Sequence, residues 1–329
     1  MDLAEDLGGA VEALAAAVAG ADAVLPVGAR TQWETGNPPD AGVEVTAPAG
    51  VTRYEPDDLT VTVGAGTTFA ELEAALAEHG QECPLDPRDR SATIGGVLAC
   101  GLSGIRRLRH GPLRDHVLEV RFVTADGRLV KGGGPTVKNV TGYDIPRLFV
   151  GSFGTLGVMV QATLRCRPRA ASVRWVRTDD PPDRFRPAAM LWDGHHVHTR
   201  LEGAAADVDA ESAGLSACEA PQLPTGDHRG RISAPPGAVA AIGRALEAVP
   251  GTRWCAELGV GTVHVAGDDG AVLAGARAVA RAHDGWLLRE AGGHGLDGFG
   301  RALPNADLMR RVKDAFDPTG KLAPGRLPL

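Results

Sequence analysis

Residues 59–80, LTVTVGAGTTFAELEAALAEHG, join three structural signals in one short stretch. The first five residues alternate between apolar and polar side chains, which predicts a strand. Thr68 and Glu71 have the spacing of a capping box, so a helix begins there, and Gly80 ends it. One face of this helix is apolar: Phe69, Leu72 and Leu76. A strand that turns directly into an amphipathic helix restricts the chain to folds that pack helices against a sheet.

The turn between them, GAGTTF at 64–69, has the position of a dinucleotide-binding glycine loop. Phe69 stands where that motif has its third glycine, and its ring would crowd the contact between helix and strand. A structural turn is therefore the favoured interpretation. A Walker A loop is excluded near the C-terminus, because Gly320-Lys321 is followed by Leu322 and not by a hydroxyl residue.

The first 80 residues alternate between helix and strand signals. Apolar residues recur at helical spacing from 3 to 19, and Gly20 ends that helix. AVLPV at 23–27 and VEVTAP at 43–48 predict short strands, with a turn at GAR, 28–30.

Residues 91–168 have a more antiparallel pattern. HVLEVRFVTADGRLVKGG at 116–133 predicts a hairpin, because Asp126-Gly127 is typical of a two-residue turn. GVMVQATLRCRP at 157–168 predicts another strand. Between them, Asp144 is the predicted N-cap of a short helix over 145–150.

A second region begins after Pro181-Pro182. AAMLWDGHHVHTRLEG at 188–203 and WCAELGVGTVHVAG at 254–267 predict antiparallel hairpin strands. The predicted helices of this region are 205–218, 236–248 and 269–283. Near the C-terminus, Asn305 or Asp307 caps a further helix. The predicted fold class is α+β.

The overall charge argues against nucleic acid as a partner. The chain of 329 residues has a net charge of −7, whereas phosphate backbones require clustered cations. RRLRH at 106–110 is a cationic exception. A run of this kind is typical of a solvated face, and it could also lie over a cofactor phosphate or at a subunit interface.

The cysteines and the N-terminus indicate in which cellular compartment the protein is expected. The five cysteines are odd in number and lack metal-knuckle spacing: Cys83, Cys100, Cys166, Cys218 and Cys255. We expect reduced thiols in a cytoplasmic protein. The N-terminus has no basic segment like that of a signal peptide, and no run reaches the roughly 18 apolar residues of a membrane span. Membrane insertion is not expected, although docking through a partner stays open.

Six segments occur in an order that points to a known family. They are PVGARTQ (26–32), LTVTVGAGTTFAELEAAL (59–76), PLDPRDRSATIGGVLACGLSG (84–104), RHGPLRDHVLEVRFVTADG (109–127), VKNVTGYDIPRLFVGSFGTLGVM (137–159) and FDPTGKLAPGRL (316–327). Their order and spacing resemble the flavoproteins of the p-cresol methylhydroxylase and vanillyl-alcohol oxidase type. Within that group, the chain is most similar to the FAD-binding subunit of glycolate oxidase.

The resemblance implies an architecture. A two-subdomain FAD-binding domain of the p-cresol methylhydroxylase (PCMH) type is expected over 1–170. A smaller α+β cap or substrate domain with an antiparallel sheet is expected over 171–300. In this range only the general pattern of strands and helices resembles the family, and no motif does. A C-terminal helix and tail, 301–329, are expected to return to the FAD domain. Ala323 departs from the family, which usually has asparagine there.

The resemblance also assigns cofactor-binding residues. In the family, the loop that matches 26–32 holds the FAD pyrophosphate through backbone N–H groups. Small residues in the later segments let the backbone approach the cofactor. The expected FAD-binding residues are Pro26, Val27, Gly28, Ala29, Arg30, Thr31, Gln32, Pro84, Leu85, Ser91, Thr93, Ile94, Gly95, Gly96, Ser103, Gly104, Gly111, Arg114, Asp115, Gly154, Thr155, Gly157 and Val158. Because GARTQWETG at 28–36 lacks histidine and cysteine, the flavin is expected to be non-covalent.

The implied reaction is hydride removal from the α-carbon of a 2-hydroxy acid, in which a base takes the hydroxyl proton and cations hold the carboxylate. The base is not identified, and Tyr143 and His294 are weak candidates. No arginine clamp is evident in the second region. His196 and His198 alternate on a predicted strand and His264 accompanies His294, yet neither pair has a full metal signature, so no metal is expected.

Three functions remain open. The first is the FAD-binding subunit of a glycolate oxidase-like complex, with an iron–sulfur subunit and a second flavin subunit as partners. Such a subunit oxidises a small 2-hydroxy acid or relays electrons. The second is a stand-alone FAD-dependent alcohol or hydroxy-acid oxidoreductase. The third is a non-catalytic scaffold with a flavin fold.

Overall fold

A computed structural model of the chain describes residues 3–134, 144–182 and 186–329. The catalytic candidate Tyr143 lies outside the described residues. Among the described residues, no helix combines the length and the apolarity that a bilayer crossing requires. All five cysteines are free thiols.

The described helices occur in both halves of the chain. The α-helices are α1 (Leu3–Gly20), α2 (Phe69–Ala77), α3 (Ile94–Cys100), α4 (Arg107–His110), α5 (Ile145–Phe149), α6 (Ala205–Ser212), α7 (Val239–Leu246), α8 (Ala271–Ala282) and α9 (Ala306–Phe316). Two short 3-10 helices span Leu113–Asp115 and Pro236–Ala238.

Most of the strands are short. They are β1 (Val24–Pro26), β2 (Val43–Val45), β3 (Val51–Glu55), β4 (Thr60–Gly64), β5 (Gln81–Glu82), β6 (Val117–Val123), β7 (Leu129–Gly133), β8 (Val158–Arg165), β9 (Arg167–Pro168), β10 (Ser172–Thr178), β11 (Ala189–Trp192), β12 (Val197–Gly203), β13 (Ser216–Cys218), β14 (His228–Ser233), β15 (Arg253–Glu257), β16 (Thr262–Gly267) and β17 (Trp286–Ala291).

The first sheet has five antiparallel strands in the order β3-β4-β8-β6-β7. Helices α2 and α3 cover one face, and their fully buried Leu72, Leu76 and Leu98 join the core. A smaller core lies where α1 meets the parallel pair β1-β2 and the ends of β6 and β8. Two packing layers therefore form the N-terminal region, with the β1–β2 pair beside the larger sheet.

The second sheet has eight antiparallel strands in the order β13-β10-β12-β11-β15-β16-β14-β17. Helices α7 and α8 cover one face and bury Ile242, Leu246 and Leu273. The antiparallel α+β class predicted from the sequence is confirmed. The division at 170, 300 and 329 remains a proposal, although strands on either side of residue 170 belong to different large sheets.

Direct contacts hold the second sheet against the N-terminal region. The Arg289 side chain donates to the Gly36 carbonyl at 2.6 Å, and the Gly36 N–H donates to the Arg289 carbonyl at 2.9 Å. Phe153 and Phe299 pack edge to face with ring centroids 5.6 Å apart. These contacts fix the relative placement of the two cavities described below.

Several predictions are confirmed, because each depends on residues that lie close together in the sequence. Thr68 and Glu71 form the predicted capping box, and the Thr124 N–H and Arg128 carbonyl close the predicted hairpin at 2.9 Å. Asp144 accepts from the Arg147 N–H at 3.3 Å and caps α5. Of the two predicted caps of α9, Asn305 occupies the N-cap position, but its side chain makes no capping hydrogen bond there.

Candidate functional site

One cavity lies where β1 ends, and we call it the glycine-lined cavity. Its wall combines the loop after β1 with the start of α3 and the turn before β8. The lining residues are Pro26, Val27, Gly28, Ala29, Arg30, Thr31, Gln32, Trp33, Val45, Ala47, Ala65, Gly66, Thr93, Gly95, Gly96, Ala99, Cys100, Phe153, Gly154, Gly157, Val158, Met159 and Arg326.

The loop after β1 presents unpaired backbone donors to this cavity. The Val27 N–H still pairs with the Val45 carbonyl at 2.9 Å, and the Trp33 N–H pairs with the Arg30 carbonyl at 3.1 Å. Between them, no hydrogen bond within the described residues uses the N–H groups of residues 28–32. A run of free N–H groups in a turn forms a concave site for an anion. The start of α3 is different, because the Ile94 N–H already pairs with a backbone carbonyl.

Gly28 leaves room for a close approach between the loop and α3. A Cβ at this position would lie 2.1 Å from Thr93 Oγ1. Thr93 is the N-cap of α3, since its hydroxyl accepts from the Gly96 N–H at 3.3 Å. A larger residue at 28 would therefore displace the cap or narrow the cavity. Gly154, on the opposite wall, has φ +77°, which other residues rarely adopt.

The C-terminal tail closes one side of the glycine-lined cavity. Arg326 donates to the carbonyls of Trp33 at 2.8 Å, Asn37 at 3.0 Å and Thr35 at 3.1 Å. Its guanidinium also lies 4.8 Å from the centre of the Trp33 ring, on which Arg30 stacks at 4.7 Å. The tail thus holds the loop in place through Arg326.

Two further residues are Cys100, in the wall of this cavity, and Ala323, in the C-terminal tail. Burial raises the pKa of the Cys100 thiol to about 12, so the thiol stays protonated and is a poor nucleophile. Ala323 has φ +45° and is 3% exposed. Asparagine tolerates that conformation better than alanine, which gives a backbone reason for the family's asparagine.

The structure brings together the predicted residues of the first loop, the α3 start and the β8 turn. These are residues 26–32, Thr93, Gly95, Gly96, Gly154, Gly157 and Val158. The remaining predicted cofactor residues do not line this cavity: Pro84, Leu85, Ser91, Ile94, Ser103, Gly104, Gly111, Arg114, Asp115 and Thr155.

Each of these other residues has a different local role. Leu85 and Ile94 are fully buried in the core of the first sheet. Ser91 bonds to Asp89 at 2.7 Å, and Thr155 bonds to the Ser152 carbonyl at 2.7 Å. Pro84 is also buried. Exposed Arg114 precedes Asp115, which pairs with Arg147 at 3.0 Å, and Gly111 adjoins Asp115. Ser103 and Gly104 line the second cavity instead.

The second cavity, of about 1130 Å³, lies between the N-terminal region and the second sheet. We call it the inter-sheet cavity. It shares Thr31 and Gln32 with the glycine-lined cavity, so the two cavities meet at this loop. The part of its wall that concerns the chemistry is Ser103, Arg88, Arg229, Arg231, His264 and Glu290.

An arginine cluster lies on this wall. Arg231 bonds to Glu290 at 2.9 Å and to the Ser103 carbonyl at 2.7 Å. Arg229 lies two residues earlier on β14, and its Nε is buried without a hydrogen-bond partner. Arg88 enters from the N-terminal region and donates to the Pro224 carbonyl at 2.7 Å. Although no arginine clamp is evident from the sequence of the second region, alternation on β14 places two of its arginines on the wall of one cavity.

The charges of the cluster leave it cationic. Burial would raise the pKa of Glu290, but the positive charges of Arg231 and Arg88 hold that pKa below its usual value. Burial lowers the pKa of Arg88, which still remains charged at neutral pH. Three arginines face the carboxylates Glu290 and Glu257, so one positive charge is in excess when His264 is neutral.

His264 and Glu257 form a buried pair beside the arginines. Nε2 of His264 lies 2.7 Å from Oε1 of Glu257, and their side chains are 1% and 3% exposed. The second carboxylate oxygen of Glu257 is buried without a partner. On the other side of the ring, Nδ1 of His264 lies 3.4 Å from Nη2 of Arg88. The imidazole thus connects the second sheet with an arginine of the N-terminal region.

The RRLRH run joins the two regions through buried ion pairs. Arg106 binds Asp86 through two bonds of 2.7 Å and Glu82 at 2.8 Å. Neighbouring His110 lies 2.7 Å from Glu202. Of the alternatives for this run, a fully solvated face is excluded for Arg106, whose side chain is 8% exposed.

Within the described residues, the same cluster contains a group of potential metal ligands. Glu82, His110 and Glu202 are the one set of three or more potential ligands whose ligand atoms lie within 4.8 Å of one another in the described chain. Arg106 and Arg200 already pair with these carboxylates, at 2.8 Å for Glu82 and 2.9 Å for Glu202. The cluster is therefore an ion-pair network in which the carboxylates already have cationic partners.

The histidines singled out by sequence lie apart from this network. His294 is exposed and lines neither cavity. His198 bonds to Asp193 at 3.1 Å, and its ring centre is 6.5 Å from that of His196. Catalytic roles for His294 and Tyr143 remain predictions.

Sequence reasoning missed the residues that complete both cavities. Arg326 lies in the closing motif PGRL, and Gly66 lies in GAGTTF. Both motifs were recognised in the sequence, but neither residue was predicted to bind the cofactor. The signal for the arginine cluster is RGR at 229–231, which places two cations on one face of a strand. Nothing local relates Arg88 to them.

Comparisons with known proteins agree with this geometry. Residues 4–133 match the family model described as an FAD binding domain. Glycolate oxidase subunit GlcE of Escherichia coli K12 is 42% identical over 129 residues, 39% of this chain and 37% of that protein. D-lactate dehydrogenase of Archaeoglobus fulgidus is 41% identical over 117 residues, 36% of this chain and 26% of that protein. The matched part thus spans well under half the length of either relative.

A solved structure supports the fold over most of the chain. Alkyldihydroxyacetonephosphate synthase aligns with a TM-score of 0.64 at 13% identity, covering 97% of this chain and 74% of that one. At this identity, the likeness concerns the fold alone. The match of residues 4–133 to the FAD binding domain model agrees, over the N-terminal region, with the family that the six segments resemble.

Proposed function

We propose that the chain binds FAD non-covalently in the glycine-lined cavity and serves the oxidation of a small 2-hydroxy acid, as the FAD-binding subunit of a glycolate oxidase-like complex. The observation that carries this proposal is the junction of the two cavities at Thr31 and Gln32. It places a site with free backbone donors directly beside a cationic site.

The residues of the glycine-lined cavity fit FAD. The free N–H groups of 28–32 suit a pyrophosphate, which carries negative charge and accepts several hydrogen bonds. Gln32 adds a side-chain oxygen that is buried without a partner. Among the described residues, those that line this cavity include neither a histidine nor an ionised cysteine, and the protonated thiol of Cys100 favours non-covalent binding. When bound, FAD supplies a two-electron acceptor for a hydride.

The inter-sheet cavity supports a carboxylate-bearing substrate. Arg229 has an unpartnered buried Nε, and the cluster carries one excess positive charge. Guanidinium groups bind carboxylates through paired, charge-assisted hydrogen bonds. A small acid whose carboxylate pairs with Arg229 and Arg88 would neutralise this wall. Glycolate and D-lactate are the acids that the names of the two relatives suggest.

A second candidate is a self-sufficient FAD-dependent 2-hydroxy-acid dehydrogenase. It is favoured by the observation that one chain contributes both cavities and every member of the arginine cluster. The subunit proposal instead draws on the relative named as a glycolate oxidase subunit. Under the subunit proposal, an iron–sulfur subunit and a second flavin subunit are the expected partners, and the complex is expected in the cytoplasm or at the membrane surface.

One experiment separates these functions. The isolated chain is purified, its flavin is identified by absorbance, and the flavin released on denaturation is quantified. Glycolate or D-lactate is then added without oxygen, and bleaching of the flavin band is followed for the chain alone and for the chain co-purified with partners. Bleaching of the chain alone supports the self-sufficient enzyme, and bleaching only with partners supports the subunit. A chain that binds no flavin would contradict both.

A further inference from the structure

The buried pair of His264 and Glu257 has a defined proton arrangement. The Glu257 carboxylate can only accept a hydrogen bond, so Nε2 of His264, at 2.7 Å, carries the proton. The Arg88 guanidinium can only donate, so Nδ1 of His264, which faces it at 3.4 Å, carries the lone pair. The neutral imidazole therefore presents its basic nitrogen on the side of the arginine cluster, at the wall of the inter-sheet cavity.

Charged groups from several neighbouring strands lie around His264. Glu257 on β15 and Glu290 on β17 supply two negative charges near the ring. The neighbouring strands also place Arg231 of β14 and Cys255 of β15 directly opposite His264. Arg231 is paired with Glu290, and burial raises the pKa of the Cys255 thiol to about 12, so that thiol is neutral.

The nearest positive charge, Arg88, is held loosely at the imidazole. A separation of 3.4 Å lies at the long end of the hydrogen-bond range, while the Pro224 carbonyl binds the same guanidinium at 2.7 Å. A ligand carboxylate in the cavity competes for Arg88 and Arg229 with a full negative charge. Movement of Arg88 toward that carboxylate leaves Nδ1 of His264 free to accept from the ligand.

We propose that His264 is the base that takes the hydroxyl proton of the 2-hydroxy acid, with Arg88 and Arg229 holding the carboxylate and Glu257 acting as a positioning residue; this inference rests on the proposed function. The O–H bond breaks and its proton passes to Nδ1. FAD, when bound in the glycine-lined cavity, would supply the acceptor for the hydride of the α-carbon, so that the C–H bond breaks and a 2-oxo acid remains. The proton on Nδ1 then returns to solvent.

The spacing of carboxylate and hydroxyl in a 2-hydroxy acid matches this arrangement. The two groups stand on adjacent carbons, and the arginine and the imidazole that would receive them are in direct contact. An acid with its hydroxyl farther from the carboxylate could not reach both at once. The same geometry gives Glu257 a defined part, because its bond to Nε2 fixes the tautomer and stabilises the imidazolium.

The test compares His264→Gln and Glu257→Gln with the control His195→Gln, a substitution at an exposed position. Three quantities are measured for each flavin-loaded protein: flavin content, the dissociation constant for pyruvate, and the rate of flavin reduction by D-lactate or glycolate. We expect His264→Gln to slow reduction by about 100-fold or more, the range of general-base catalysis, with flavin content unchanged and pyruvate affinity within about threefold.

The other variants sharpen the assignment. Glu257→Gln keeps an acceptor oxygen but loses the charge, so we expect a smaller loss of about tenfold, again in rate and not in pyruvate affinity. His195→Gln should behave as the wild type. Thermal melting of each variant checks that it is folded. Reduction of His264→Gln at the wild-type rate would overturn the proposal.

A separate measurement keeps the inference independent of turnover. The ¹⁵N chemical shifts of the His264 ring report which nitrogen carries the proton, and they are recorded before and after adding pyruvate or the non-reacting acid oxalate. A lone pair at Nδ1 whose shift responds to either acid supports the proposal. A proton on Nδ1, or no response to either acid, overturns it. If no 2-hydroxy acid reduces the wild-type flavin, either in the chain alone or in the chain co-purified with partners, the proposed function fails, and this readout alone then decides the proton-acceptor site.

Discussion

The glycine-lined cavity and the inter-sheet cavity recognise ligands by opposite means. The first offers main-chain N–H groups from one continuous loop, residues 28–32, and excludes bulky side chains at Gly28. The second offers charged side chains, of which Arg88 and His264 are separated by 176 residues along the chain. A backbone site depends on local conformation, whereas a side-chain site depends on how two distant regions are packed together.

This difference predicts which property of the protein a substitution in each cavity should impair. Changes in the loop should remove the cofactor and leave the rest of the fold in place. Changes at the junction between the sheets should destabilise the packing or the charge arrangement and leave cofactor affinity intact. The predictions below follow this contrast from the largest expected effect to the smallest.

Removal of Arg106 should cause the largest loss of stability. Arg106→Met leaves the carboxylates of Glu82 and Asp86 without their buried partner, which typically costs about 3–5 kcal/mol. Urea denaturation measures the free energy of unfolding. The exposed pair Arg53–Glu55 provides the control, because Arg53→Met should have no measurable effect. A dissociation constant for FAD that rises together with the stability loss would argue against separate roles for the two cavities.

A methyl group at Gly28 should impair cofactor binding. In Gly28→Ala the added Cβ would lie 2.1 Å from Thr93 Oγ1, so overpacking of about 3 kcal/mol is expected, or about 100-fold in the dissociation constant for FAD. Quenching of flavin fluorescence on titration measures this constant. Gly9→Ala is the matched control, since nothing lies within 4 Å of the added methyl group. Equal affinity in the two variants would place the cofactor elsewhere.

His116, beside the ion-pair network, should give the fold a pH dependence. Burial, with His110 and Arg167 nearby, lowers the pKa of His116 from 6.5 to about 4. The unfolded chain therefore binds an extra proton between these values, and stability should fall by up to about 3 kcal/mol as the pH drops through that window. Glu202, whose pKa is lowered to about 2 by its cationic partners despite burial, loses its contribution only at lower pH.

The pH effect is checked by unfolding at pH 7 and pH 4.5. His116→Gln should reduce the difference in unfolding free energy between the two pH values. His195→Gln, at an exposed position, should retain the full difference. A wild-type stability that is flat between these pH values would show that His116 is not held neutral by the fold.

The sequence predicted the backbone site better than the side-chain site for a physical reason. The loop at 26–32 follows a short buried strand, and both signals lie within a few residues. Leu85 and Ile94 do not line the glycine-lined cavity, because tertiary packing buries both side chains in the core of the first sheet. His264 and Arg231 are directly opposite each other on β16 and β14, a register that no local pattern specifies.

The central claim is that one chain separates cofactor binding from substrate binding. It is tested most directly by measuring flavin content and the rate of flavin reduction by a 2-hydroxy acid in Arg229→Met and in the wild type. We predict that Arg229→Met retains its flavin and is reduced about 100-fold more slowly, because the carboxylate loses its unpaired cation. Loss of flavin in Arg229→Met, or reduction at the wild-type rate, would contradict the account.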